Sequence, residues 1–307
     1  MFRNLTLFRF SPAVADDLQR LDEALGEHRL RACGPLEMFT KGFVSPVGTD
    51  PDAPLTLTVG HCTGFTIGAE DKLLPSAVLN DALAAKVRKI ADEEGRRVGG
   101  RERRRLREDL LTEMLPRAFV RSSRMGGYVD RRHGWMALDT SSRKAAENAL
   151  TQIREALGSF PAVPLAPDES PRALMTDWLA NGTLPAGLAL GDECELRDPA
   201  TSTGARWRGR NEDLSAEDVR EHLRNGKQVF KLGLVYDDRI SFVLGEDLVL
   251  RNVRLTDIVL DALPDDSTDA EAEASATFAL FAGEVARLLE RMEEWFGLPR
   301  PSDGGAA

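Results

Sequence analysis

Between Pro75 and Pro116 the chain has little freedom in what it can fold into. The run PSAVLNDALAAKVRKIADEE sets Val78, Leu79, Leu83, Val87 and Ile90 on one side at helical spacing and stops at Gly95. Gly99-Gly100 opens a second run, RERRRLREDLLTEML, whose apolar stripe is Leu106, Leu110, Leu111 and Met114. Two amphipathic runs divided by glycines and closed by a proline predict a helical hairpin, a protruding arm over residues 73–116.

The polar face of that arm is arginine. From Arg96 to Arg132 there are twelve arginines against Glu102, Glu108, Asp109, Glu113 and Asp130, a net charge of +7. The whole chain of 307 residues carries -10, so everything outside this stretch is strongly acidic. From Asp261 onward the net charge is -8. The total therefore hides a polarised molecule, and distribution decides what binds. Arg101, Arg104, Arg105 and Glu108 share one helical face, and Arg103 and Arg107 another. Lys86 and Lys89 decorate the preceding helix, Arg97 stands between the two, and Arg117, Arg121 and Arg124 follow on the next strand. Guanidinium groups in such density suit phosphate oxygens, to which they donate paired hydrogen bonds. Aromatic residues are not interleaved with them, which disfavours base stacking on single strands. Backbone contact with nucleic acid, salt-sensitive and sequence-independent, is the expected mode.

Around the arm, strands alternate with amphipathic helices, and a strand–turn–strand–helix order at 119–157 recurs at 188–224; an α+β fold of several lobes with mixed sheets is expected. Residues 1–72 with 117–160 form a first lobe, 73–116 the arm, 161–264 a second lobe, and 265–307 an acidic linker, a last helix and a tail. Strands are expected at 2–10, 36–44, 55–67, 119–125, 128–138, 188–197, 205–209, 227–236, 240–244 and 248–253. Gly126-Gly127 or Gly134 would supply the turn between the pair at 119–138. Ser11-Pro12 starts a helix that buries Val14, Leu18, Leu21 and Leu25. Another helix follows from Ser141 to Leu157, with Ala145, Ala149, Ile153 and Leu157 as its apolar side. A third runs from Ser215 to Arg224 behind a capping box of Ser215 and Asp218. The last helix runs through Phe278, Phe281, Val285, Leu288, Leu289, Met292 and Phe296.

Several chemistries leave no trace. No apolar run approaches the roughly 20 residues of a membrane span. The start, MFRNLTLFRF, lacks the apolar core of a signal peptide, and three cysteines are few for a disulfide framework, so a cytoplasmic protein is expected. There is no phosphate-binding loop and no nucleophile elbow, and no cofactor is implied. His61-Cys62 is the one His-Cys neighbour pair; neighbours on a strand point to opposite faces, which makes it a poor metal site. Asp237-Asp238-Arg239 has the residue types of a metal-dependent nuclease, yet between two strands it reads more simply as a hairpin turn. The residues alone thus leave three readings: a DNA-binding protein, a nuclease using Asp237 or Asp238, and a scaffold whose arginines hold an acidic protein.

Collinear stretches narrow the choice. MFRNLTLFRF, LEMFTKGFVSP, KLLPSAVLN, MLPRAF, GWMALD, MTDWLA, DECELRD, EDVREHLRNGKQ, DRISFVLGEDL and FALFAGEVARLL occur in an order that resembles the RdgC family of bacterial recombination-associated proteins. The resemblance implies a ring-shaped homodimer that encircles DNA at the nucleoid without sequence preference. It further implies that RecA is restrained by competition for DNA, with no catalytic activity. It places an apolar dimer contact at Phe119, in MLPRAF, and a polar one at Lys227 and Gln228, in GKQ. A closed ring of two subunits needs two such self-complementary surfaces on each. The family's basic channel carries over onto an arm that here reads RERRRLRE, where relatives tend to be richer in lysine.

Overall fold

In the computed structural model the chain opens with strand β1 (Thr6–Arg9) and helix α1 (Leu21–Gly26), then strands β2 (Phe39–Val44), β3 (Thr56–Val59) and β4 (Cys62–Leu73). Helices α2 (Ser76–Glu94) and α3 (Gly100–Met114) follow, then β5 (Phe119–Asp130), β6 (Trp135–Leu138), α4 (Arg143–Leu157), β7 (Val163–Pro164) and α5 (Pro171–Asn181). The rest of the chain is β8 (Leu188–Arg197), β9 (Arg206–Arg210), α6 (Glu217–Arg224), β10 (Gln228–Tyr236), β11 (Ile240–Gly245), β12 (Leu250–Leu255), α7 (Asp257–Leu260) and α8 (Ala270–Phe296). The structure describes residues 2–14, 17–50, 52–200, 205–261 and 270–301. The fold is mixed α+β, as the alternation of elements predicts, but the described strand pairings are antiparallel where mixed sheets are expected. Among the described residues no helix is long and apolar enough to cross a membrane.

The chain divides into two compact units. The larger holds residues 1–27, 45–66 and 125–307; the smaller holds 28–44 and 67–124, the arm included. Strands β4 and β5 each begin in one unit and end in the other.

In the larger unit β6 lies between β5 and β1, Met136 opposite Val129 and Phe8, and the short β7 pairs with the outer side of β1. A second, five-stranded antiparallel sheet runs β12-β11-β10-β8-β9. Helix α8 supplies Phe278, Phe281, Val285, Leu288, Leu289, Met292 and Phe296 to the core, where they join Leu232, Leu244 and Leu250 of that sheet. Their spacing follows the 3.6-residue period, so one face of the helix is buried from Phe278 to Phe296. Leu5 donates to Leu250 O at 2.7 Å and so bonds the chain just before β1 to β12.

Five local expectations change. The strand expected at 55–67 is two, β3 and the start of β4, paired antiparallel across a turn at Gly60 and His61. Residues 119–130 make one strand, not a strand and a turn: the reversal falls at Gly134 (φ 70°), while Gly126 and Gly127 stay inside β5. Close approach explains those two glycines, since a Cβ at Gly126 would come within 2.5 Å of Phe2 and one at Gly127 within 2.7 Å of Phe65. The helix expected after Ser11 is two short 3-10 turns before α1; Leu18, Leu21 and Leu25 are nevertheless buried. Ser215 and Asp218 form no capping box, because Ser215 Oγ donates to Asp213 instead and Ala216 takes the N-cap position. Helix α8 starts at Ala270, so the alanine and glutamate half of the expected linker is helical, with Glu271 and Glu273 at the favourable end of the dipole. The other half of that linker and most of the tail fall outside the described residues.

Candidate nucleic-acid interface

Helices α2 and α3 pack through a small core of their own: Leu79, Leu83 and Leu110 are buried, with Ala82, Val87, Leu106, Leu111 and Met114 partly covered. Gly95 closes α2 in the left-handed conformation (φ 63°), the region open to glycine at no steric cost. Turning the leucine stripe of α3 toward α2 leaves its arginines outward. Arg101, Arg103, Arg104, Arg105 and Arg107 are all exposed and make no ion pair among the described residues.

Arg96 behaves differently. Its Nε donates to Glu94 at 2.6 Å, and its two terminal nitrogens donate to Glu102 at 2.7 Å. Those bonds raise the guanidinium's pKa and hold the Glu102 carboxyl below the usual carboxylate range. The one acid inside RERRRLR is therefore already engaged by an arginine outside that run. Five cations on a single helix are left for a partner.

The other basic candidates spread over the smaller unit. Lys86 is half-buried, Lys89 stands 3.8 Å from Glu93, and Arg97 and Arg117 are exposed. On β5, Arg121 and Arg124 are exposed, and Arg121 lies 3.5 Å from Asp71. The hairpin thus gathers Lys86, Lys89, Arg97 and the five arginines of α3 on one element pair; Arg117, Arg121 and Arg124 belong to the turn and strand that follow.

Phe119 begins β5 and is 83% exposed, which removes core packing as the reason for this phenylalanine. Met38, Phe39, Leu73 and Val120 are exposed as well, and Lys72 donates to Met38 O at 2.8 Å. The strand ends of the smaller unit thus carry an apolar rim that the sequence does not announce, because each of these residues reads as an ordinary strand member. In the larger unit Lys227 and Gln228 lie where α6 passes into β10. Lys227 Nζ stands 3.0 Å from His222 Nδ1, and the Gln228 side-chain oxygen is buried with no hydrogen-bond partner among the described residues.

A second basic group escapes sequence reading. Glu195, buried on β8, accepts from Arg197 Nε at 2.6 Å, Arg208 Nε at 3.0 Å and Lys231 Nζ at 3.2 Å, with Arg206 Nε at 3.4 Å. Burial pushes its pKa up, but the hydrogen bonds from Arg197, Lys231 and Arg208 outweigh that and hold it at about 2. Four cations on one carboxylate leave a net positive patch on β8, β9 and β10. The alternation RWRGR at 206–210 was its only sequence signal.

Asp237 and Asp238 are the central residues of the turn between β10 and β11, where Tyr236 pairs with Ile240. Both have positive φ (50° and 54°), and Arg239 N donates back to Tyr236 O at 2.9 Å. That is a type I′ turn, which accounts for both acids by backbone geometry.

The chain was compared with known proteins. Residues 1–298 match the family model described as "Putative exonuclease, RdgC". The "Recombination-associated protein RdgC" of Xanthomonas campestris pv. campestris (strain B100) is 48% identical over 294 residues, 95% of this chain and 96% of the relative. Proteins of the same description from Xanthomonas axonopodis pv. citri (strain 306) and Xylella fastidiosa (strain M12) are each 47% identical over 293 residues, with the same coverage.

Proposed function

The chain belongs to the RdgC family, and from that premise we propose that it acts in recombination as a DNA-binding protein rather than as an enzyme. It grips the phosphate backbone without reading sequence, encircles DNA as a ring-shaped homodimer at the nucleoid, and limits RecA by occupying the DNA that a RecA filament needs. The relatives' name gives the link to recombination. The observation that carries the DNA reading is the set of five exposed, unpaired arginines on α3. An acidic remainder repels DNA and confines contact to such a track.

Phe119 supplies the apolar dimer contact. A phenylalanine this exposed, among Met38, Phe39, Leu73 and Val120, is the kind of surface that a monomer buries by pairing. Lys227 and Gln228, both half-buried where α6 passes into β10, supply the polar contact. The family description also names an exonuclease, but Asp237 and Asp238 are spent on a turn and carry no argument for one.

The test is binding to two duplexes of unrelated sequence, followed by RecA filament assembly on the same DNA with and without saturating protein. Equal affinities, slower filament assembly and intact DNA after incubation with Mg²⁺ are expected. Strong preference for one duplex, or Mg²⁺-dependent cutting, would overturn the reading.

A further inference from the structure

His61 is not on a strand. It sits in the two-residue turn between β3 and β4, after Gly60 (φ 59°), while Cys62 is the first residue of β4, paired with Val59. The rule that strand neighbours face opposite ways therefore does not apply to this pair. A ligand nitrogen of His61, the Cys62 thiol and an Asp130 carboxylate oxygen all lie within 4.8 Å of one another. Asp130 ends β5, and the backbone of Arg131 donates to His61 O at 3.0 Å, so the two hairpin ends are tied side by side.

We propose that His61, Cys62 and Asp130 bind a soft divalent cation, with zinc the best fit, that pins the β3–β4 turn to the end of β5. Imidazole, thiolate and carboxylate are the donor types that zinc takes, and three protein ligands leave a fourth position for water. Cys62 and Asp130 form a buried floor, and His61, 42% exposed, stands at the mouth. His133 completes the arrangement from outside: its Nδ1 stands 2.7 Å from Asp130 Oδ2, its ring packs edge-on against His61 at 5.2 Å, and its Nε2 lies 3.7 Å from Glu290 of α8. Such a partner orients a ligating carboxylate.

The groups are otherwise hard to reconcile. The Asp130 carboxylate accepts from the backbone of Arg132 and His133, both at 3.0 Å, which explains a turn acid but not the thiol set against it. A divalent cation bound there takes the Cys62 thiolate as ligand, and the thiol proton leaves to solvent.

The experiment titrates the reduced, chelator-treated full chain with Zn²⁺, and with Co²⁺ as the spectroscopic probe. One ion binds, about one proton is released per zinc, and Co²⁺ gives a thiolate-to-metal charge-transfer band. Cys62→Ser removes that band and weakens zinc about 10-fold or more; Cys33→Ser with Cys194→Ser leaves both intact. His133→Gln weakens zinc by about 10-fold. Absence of stoichiometric zinc binding by the unmodified chain, which requires no variant to fold, would overturn the proposal. So would a charge-transfer band that survives Cys62→Ser.

Discussion

Glu195 shows how a single carboxylate can organise a surface. Four cations converge on it, and its folded pKa, about 2, lies below that of an unfolded glutamate. A lowered carboxylate pKa contributes stability that is fully present above the unfolded value and is lost as pH falls toward the folded one. The chain should therefore lose stability between about pH 4.5 and pH 2, and Glu195→Gln should flatten that part of the profile in urea unfolding. At pH 7 the same change costs about 2 kcal/mol, less than for a fully enclosed pair because the cations reach water. Asp238 is the opposite case, an acid retained for backbone shape. Asp238→Gly relieves a positive φ at a turn position that favours glycine, so thermal unfolding should show stability unchanged or raised by up to about 1 kcal/mol, with DNA affinity unaltered. The turn was legible from Asp-Asp between two strands. The Glu195 cluster was not, since its members are spread over β8, β9 and β10, from Glu195 to Lys231, and meet only through strand pairing.

At the level of elements, the arm was the most legible part of the chain. Its leucines recur at helical spacing and its ends carry Pro75, Gly95 and Pro116, so periodicity and punctuation agree; α2 and α3 run Ser76–Glu94 and Gly100–Met114. Strand β5 was read as two pieces because Gly126-Gly127 is a turn signal wherever nothing packs on it; here Phe2 and Phe65 do. The arm's stability rests on few residues. Leu83→Ala should remove about 2–4 kcal/mol from a small core, enough to raise amide exchange across α2 and α3 while β10 and β11 stay protected. The proposed DNA binding should weaken with it, because a frayed α3 no longer holds its five arginines in a fixed array.

Over the whole molecule the division of labour follows charge and apolarity. The smaller unit carries the arginine track and the apolar rim around Phe119, and the larger carries the main core, Lys227 and Gln228. Ring closure belongs to this scale, and Phe119→Ala should shift sedimentation toward monomer and shorten retention on circular DNA; unchanged sedimentation would remove Phe119 from the interface. Fold class followed from the alternation of strands and helices. The partition into units did not, because β4 and β5 cross between them and no linker composition marks the crossing. The central claim, that α3 holds the DNA backbone, is tested most directly by the salt dependence of affinity. The measurement compares the unmodified chain with one in which Arg101, Arg103, Arg104, Arg105 and Arg107 are alanine. Each phosphate contact contributes about 0.9 to the slope of log affinity against log salt, so loss of all five should make the slope shallower by about 4. A variant that keeps both the affinity and the slope would mean that the DNA track lies elsewhere in the molecule.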